Sequence, residues 1–170
     1  MRFLITTLLI LVSSLSAMAD DDTELRHFLS LLSGAHIGDD YEAIKKLVPK
    51  IEALHPDAGD DNTEALIKAK AGKVALQGEF NFSKGRLVSH GFQSGELTHG
   101  EAHEFLLRCI TILEQLYGPS ERLIELPNES DGPRDSIGIS FKWHKNKTHF
   151  GLDFRYRRKF ATVSWGAQAE

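Results

Sequence analysis

The 170-residue sequence is poor in cysteine, and its charges nearly balance. It holds one cysteine, 20 basic residues and 24 acidic residues. A single cysteine excludes an internal disulfide framework and a cysteine-based zinc site. A net charge of −4 argues against a general nucleic-acid binder, which needs a basic surface. With 41% hydrophobic and 26% charged residues, the composition indicates one globular domain rather than a disordered chain.

Residues 1–19 have the layout of a secretory signal peptide. Arg2 supplies a positive charge, and the mostly apolar run 3–12 that follows is too short to cross a bilayer. Small residues then lead to Ala19, as at a signal-peptidase cleavage site. We therefore expect cleavage near Ala19 and a single mature domain, 20–170. This domain would be periplasmic or secreted, without a transmembrane segment.

Apolar residues spaced three and four apart predict three helices. The first covers 23–32, and the second covers 41–54 with an interruption at Pro49. The third, 98–117, begins with a capping box, in which a threonine is followed three residues later by a glutamate. Cys109 lies on the apolar side of this helix, so we expect it to be buried as a small apolar group.

Alternation of apolar and polar residues predicts an antiparallel sheet. Strands are predicted at 74–82 and 86–92, and three more between 137 and 165. Segment 63–71 fits a helix by its alanines and a strand by its alternation, and both remain open. The polar segment 120–134 is predicted to be a loop. The fold class is therefore α+β, with an antiparallel sheet of meanders and helices packed on one of its faces.

A helix followed by a meander occurs twice, in 37–92 and 98–166, which predicts a duplicated unit sharing one core. The glycine-then-helix segment 37–44 resembles the opening of such units in small exported proteins. These are the β-lactamase-inhibitor-protein type and the outer-membrane assembly lipoproteins of the BamE type. The resemblance implies helices on one sheet face and a role in protein binding. The chain lacks the paired cysteines of the first type and the lipidation cysteine of the second.

Basic residues concentrate near the C-terminus, where segment 132–170 has eight basic and three acidic residues. Such a cluster attracts acidic surfaces, although basic turns and edges also discourage aggregation between sheets. The leading hypothesis is an exported, non-enzymatic binding protein of the inhibitor or immunity type, whose partner is a protein with an acidic surface. The predicted contact residues are Lys142, Arg155, Tyr156, Arg157, Arg158 and Trp165.

A small periplasmic hydrolase is the first alternative. Ser140, His144, His149 and Asp153 fall on neighbouring predicted strands, and a serine, a histidine and an aspartate can form a nucleophilic triad. The sequence has no Gly-x-Ser-x-Gly motif at Ser140 to activate the serine.

A metal-dependent enzyme is the second alternative. His99 and His103 are four residues apart on one helix, so both can face the same ion. Two ligands alone are too few for a protein metal site, and we expect no cofactor. A third alternative is a carrier of a small ligand or lipid, with a pocket between the helices and the sheet.

Overall fold

The computed structural model describes residues 22–53, 62–125, 137–145, 148–157 and 159–169. The predicted signal peptide 1–19 and the predicted contact residue Arg158 lie outside the described residues.

Three helices and eight strands make up the described part of the chain. The helices are α1 (residues 22–34), α2 (Tyr41–Leu47) and α3 (His99–Tyr117). The strands are β1 (Glu52–Ala53), β2 (Asn62–Ala71), β3 (Val74–Ser83), β4 (Arg86–Ser94), β5 (Glu121–Glu125), β6 (Ile137–Lys145), β7 (Thr148–Tyr156) and β8 (Ala161–Ala169).

All eight strands form one antiparallel sheet in the order β1-β2-β3-β4-β8-β7-β6-β5. Each half of the sheet is a four-stranded meander that follows a helix, and the halves join where β4 pairs with β8. One hydrophobic core contains side chains from both halves and from all three helices. The predicted α+β class, with helices on one face of an antiparallel sheet, is confirmed. The duplication of the unit stays a prediction.

Helix α3 begins at the predicted capping box. The Thr98 N–H donates to Glu101 Oε2 at 3.0 Å, and the Glu101 N–H donates to Thr98 Oγ1 at 3.4 Å. Hydrogen bonds from the Thr98 hydroxyl and N–H lower the pKa of Glu101. Further along, Cys109 is fully buried as predicted, and desolvation raises the pKa of its thiol.

Aromatic side chains bind the helices to the sheet. The Phe92 ring of β4 contacts Phe28 of α1 edge-on at 5.8 Å and Phe105 of α3 edge-on at 6.4 Å. The Phe28 ring lies over Gly78 of β3, where an added Cβ would come within 2.6 Å of Ile67. The missing side chain at Gly78 therefore gives α1 room to pack on the sheet.

The second predicted helix, 41–54, is too long. Helix α2 ends at Leu47, two residues before Pro49, and Glu52–Ala53 pairs with β2 as strand β1. Proline has no N–H and disfavours helical conformation in the residue before it, so the interruption ends the helix instead of kinking it.

The predicted loop 120–134 is wrong in its first part, because Glu121–Glu125 forms the edge strand β5 on β6. Residues 126–134 are outside the described part. Edge strands are often short and charged, because such strands discourage pairing with other molecules. Strand β5, with the sequence Glu-Arg-Leu-Ile-Glu, is of this kind. Segment 63–71, left open between helix and strand, lies within strand β2.

Candidate functional site

The sheet has two faces of opposite character. Alternate residues of β3 are buried from Val74 to Phe82, and those between them point away from the helices. On the neighbouring strands the outward positions hold amides, hydroxyls, charged groups and glycines. We call this side the polar face, and the helix-covered side the core face.

Three glycines lie side by side at the centre of the polar face. The strand register aligns Glu79 of β3 with Gly91, Gly166 and Gly151 of β4, β8 and β7, and then with Lys142 of β6. At a strand spacing of about 4.8 Å, the two charged residues have Cα atoms roughly 19 Å apart along this row. The glycines leave a floor of exposed backbone between an acidic and a basic side chain.

Two of these glycines differ in what a side chain would meet. A Cβ at Gly91 would lie 2.2 Å from the carbonyl oxygen of Trp165, so only glycine allows β4 and β8 to approach here. A Cβ at Gly151 would meet nothing within 4 Å. The space above Gly151 is therefore open, and a side chain placed there would stand in it.

This open space is a cleft of about 540 Å³, which we call the glycine-floored cleft. Its volume is typical of a ligand site. Its walls offer hydrogen-bond donors and acceptors of every common kind: amides, hydroxyls, a carboxylate, an ammonium and an imidazole. The polar wall residues are Glu79, Asn81, Ser89, His90, Gln93, Lys142, His149, Asp153, Ser164 and Gln168.

The candidate hydrolase residues all lie on the polar face but do not form a triad. The Ser140 hydroxyl donates directly to Asp153 Oδ1 at 2.5 Å, and Ser140 is buried. His149 pairs with His144 across the β6–β7 hairpin, and their rings are 4.5 Å apart. His149 and Asp153 are four positions apart on β7, so their Cα atoms are about 13 Å apart at the usual rise per residue. A triad needs the histidine between the serine and the aspartate, and here these two bind each other.

The predicted contact residues are divided between the two faces. Lys142 and Arg155 lie on the polar face. Tyr156 is 40% exposed but lies on the other side, where its ring stacks on His99 at 3.9 Å. Trp165 is 3% exposed and belongs to the core, so its role as an exposed aromatic anchor is wrong. Successive residues of a strand point to opposite faces of the sheet. Lys142 is at an outward position of β6, whereas Trp165 is at an inward position of β8.

Arg157 lies beyond the end of β7, at the turn into β8. Its guanidinium group lies over the Phe160 ring at 5.5 Å, and its carbonyl oxygen is 2.9 Å from His99 Nε2. The candidate metal ligand His99 is thus held by the Arg157 backbone and the Tyr156 ring. His103 is exposed on the next turn of α3. Across the described ranges, no three potential metal ligands of the His, Cys, Asp or Glu type group together.

The sequence analysis missed the residues at the centre of the cleft, Glu79, Gly91, Gly151 and Gly166. One local signal was present, because each glycine interrupts an alternating strand, and glycine inside a strand marks a close approach of backbone or ligand. Their alignment in one row depends on the β4–β8 pairing, which joins residues far apart in sequence.

Comparison of the chain with protein-family models, with curated proteins and with solved structures finds no match. Among the residues that the structure describes, no helix is both long enough and apolar enough to cross a membrane. The geometry of the polar face is therefore the basis for assigning a function.

Proposed function

We propose that this chain is an exported, non-enzymatic binding protein of the inhibitor or immunity type, and that its partner is another protein. The partner inserts a segment into the glycine-floored cleft. The observation that carries this proposal is the cleft itself: about 540 Å³ of open, polar space on the sheet face that the helices leave uncovered.

The charges around the cleft favour a partner with an acidic group at one end of its contact. Lys142 lines the cleft, and Arg155 lies on the same face, about 13 Å along β7 from Gly151, the residue paired with Lys142. The carboxylate of Asp153 between them is already engaged by the Ser140 hydroxyl. Separate partner carboxylates would face Lys142 and Arg155, while a basic or amide group would face Glu79 across the floor.

Export rests on the composition of residues 1–19. We expect the mature chain to begin at Asp20. Mass spectrometry of the protein from its native host measures where it begins. A mature chain that retains residues 1–19 would contradict export by this route.

Partner capture with a filled cleft tests the proposal. The bait variant Gly151→Leu places a side chain in open space, and Gly100→Leu is the matched control on α3, where an added Cβ also meets nothing within 4 Å. We expect the wild type and Gly100→Leu to recover the same partner from the native exported fraction. Gly151→Leu and Lys142→Glu should recover about tenfold less of it, or still less. Equal recovery by all four baits would contradict the proposal.

A further inference from the structure

A second, smaller pocket lies on the core face, between the helices and the sheet. It has a volume of about 240 Å³ and is bounded by the ends of α1 and α3, the turn after α1, and strands β4 and β7. Six of the residues that line it are Ser33, Ala35, His90, Tyr117, Thr148 and Phe150. This pocket lies on the opposite face of the sheet from the glycine-floored cleft, although His90 and Phe150 line both. The ligand proposed for it does not depend on the function proposed for the cleft.

His90 brings an unsatisfied polar atom to this pocket. It is 4% exposed, and its Nδ1 has no hydrogen-bond partner. Its side chain lies on the core face, because the register pairs it with the buried residues Phe80 and Ala167. A buried polar atom without a partner is destabilising, so native structures rarely contain one.

The tautomer of His90 is assigned from the Ala35 backbone, which raises the pKa of the ring as an accepting carbonyl oxygen does. The Ala35 N–H is not the group responsible, since it donates to the Leu32 carbonyl oxygen at 3.1 Å. We therefore place the proton of the neutral ring on Nε2, because Nδ1 has no hydrogen-bond partner. In a neutral imidazole with a proton on Nε2, Nδ1 is an acceptor. Burial lowers the pKa of His90 to about 4, which keeps the ring neutral near pH 7.

A second unpartnered polar atom lies close by. Trp165 Nε1 is buried without an acceptor, and the Trp165 ring is 5.5 Å from the His90 ring and 6.0 Å from the Phe150 ring. Trp165 is not among the residues that line the pocket, so the unpartnered atom available to a ligand there is His90 Nδ1. A hydroxyl group can donate to such an acceptor.

The walls of the pocket combine two stacked aromatic rings with small and hydroxyl side chains, and His36 lies at its lining. Tyr117 stacks on Phe150 at 4.4 Å, and its hydroxyl donates to Ser33 Oγ at 2.7 Å. Ser33 in turn donates to the Leu29 carbonyl oxygen. The described lining holds no carboxylate, ammonium or guanidinium group. An apolar cavity of about 150 Å³ accommodates benzene, so this pocket has room for one substituted ring.

We propose that the pocket beside His90 binds a small neutral molecule that carries one ring and one hydroxyl group, with the hydroxyl donating to His90 Nδ1. The ring lies against Tyr117 and Phe150. Such a molecule fills the pocket and satisfies the buried acceptor at the same time.

The test uses two probes of nearly the same shape, p-cresol and p-xylene, in which a methyl group replaces the hydroxyl. Isothermal titration calorimetry on the full chain measures both. We expect saturable binding of p-cresol, about tenfold tighter than that of p-xylene, because p-xylene leaves the buried acceptor unpaired. In His90→Leu, the two probes should bind equally.

A second pair of variants keeps the test decisive if His90→Leu fails to fold. Thr148→Phe narrows the pocket from β7 and should abolish binding of both probes, whereas Thr162→Phe makes the same change on the polar face and should leave binding intact. Absence of saturable binding in the wild type, which is the result for a pocket that holds only water, would overturn the proposal. Equal affinity of the two probes for the wild type would also overturn it.

Discussion

The two faces of this sheet are formed by the same strands but have opposite surroundings, because one packs against the helices and the other is open. On the core face, Phe80, Phe92 and Trp165 pack beneath the helices. On the polar face, residues one position away form a cleft floored by glycine. The period of two along a strand lets one segment carry both a core and a surface, and the helices determine which side remains accessible.

Histidines illustrate the difference between the faces. His90 on the core face is buried, with its pKa lowered by desolvation. His149 is half-buried in the wall of the cleft on the polar face. If the two faces are independent, substitutions on one face should change stability without altering the other.

Gly91→Ala should cause the largest loss, about 4 kcal/mol or more, because the new Cβ collides with backbone that cannot move aside. Urea denaturation measures it. Gly151→Ala, in the same row, should change the free energy of unfolding by less than about 1 kcal/mol, since its Cβ enters open space. Similar losses of stability at both positions would show that Gly91 and Gly151 do not differ in the space available to a side chain.

His90 should make stability dependent on pH. Its pKa is 6.5 ordinarily and about 4 in the folded chain, so below 6.5 the unfolded chain takes up a proton that the folded chain refuses. Stability therefore falls as pH decreases through this window, by roughly 3 kcal/mol. His36 lowers the pKa of His90 and Asp39 raises it, and both residues are retained in the His90→Leu variant used for comparison.

The comparison for this effect is His90→Leu, followed by urea denaturation from neutral pH to pH 4. The difference between wild type and variant should change across the window and be constant above it. A wild type whose pH dependence matches that of the variant would mean that the pKa of His90 is the same in the folded and the unfolded chain, which contradicts the prediction.

Thr98→Ala should cost about 1 kcal/mol by removing the hydroxyl from the capping box of α3. Thr111→Ala makes the same change within the same helix, where the hydroxyl donates only to the Leu107 carbonyl oxygen. We expect this control to stay within about 0.5 kcal/mol of the wild type. Thermal unfolding of both variants distinguishes the cap from a general helix effect.

Local patterns in the sequence predicted much of the fold. Alternation located β3 and β4, and the capping box located the start of α3. Strands β1 and β5 were missed, because a two-residue strand and a charged edge strand have too little alternation to stand out and owe their form to the neighbouring strand.

The candidate site was less predictable than the fold. The glycine row was not predicted, since it needs the register between strands of different halves. Trp165 was misplaced because its size suggested an anchor, although its position in β8 alternates inward with Val163 and Ala167. Which residues of a strand meet is set by pairing, and pairing is not local in sequence.

Thiol labelling at the cleft floor tests most directly whether the polar face is open. Gly151→Cys places a thiol above the floor, and the buried Cys109, whose thiol pKa burial raises, is an internal control. A bulky maleimide should label the folded variant once, at residue 151, nearly as fast as it labels a thiol in an unfolded peptide, while Cys109 stays unlabelled. Labelling at residue 151 as slow as at Cys109 would mean that this face is covered, and would contradict the account.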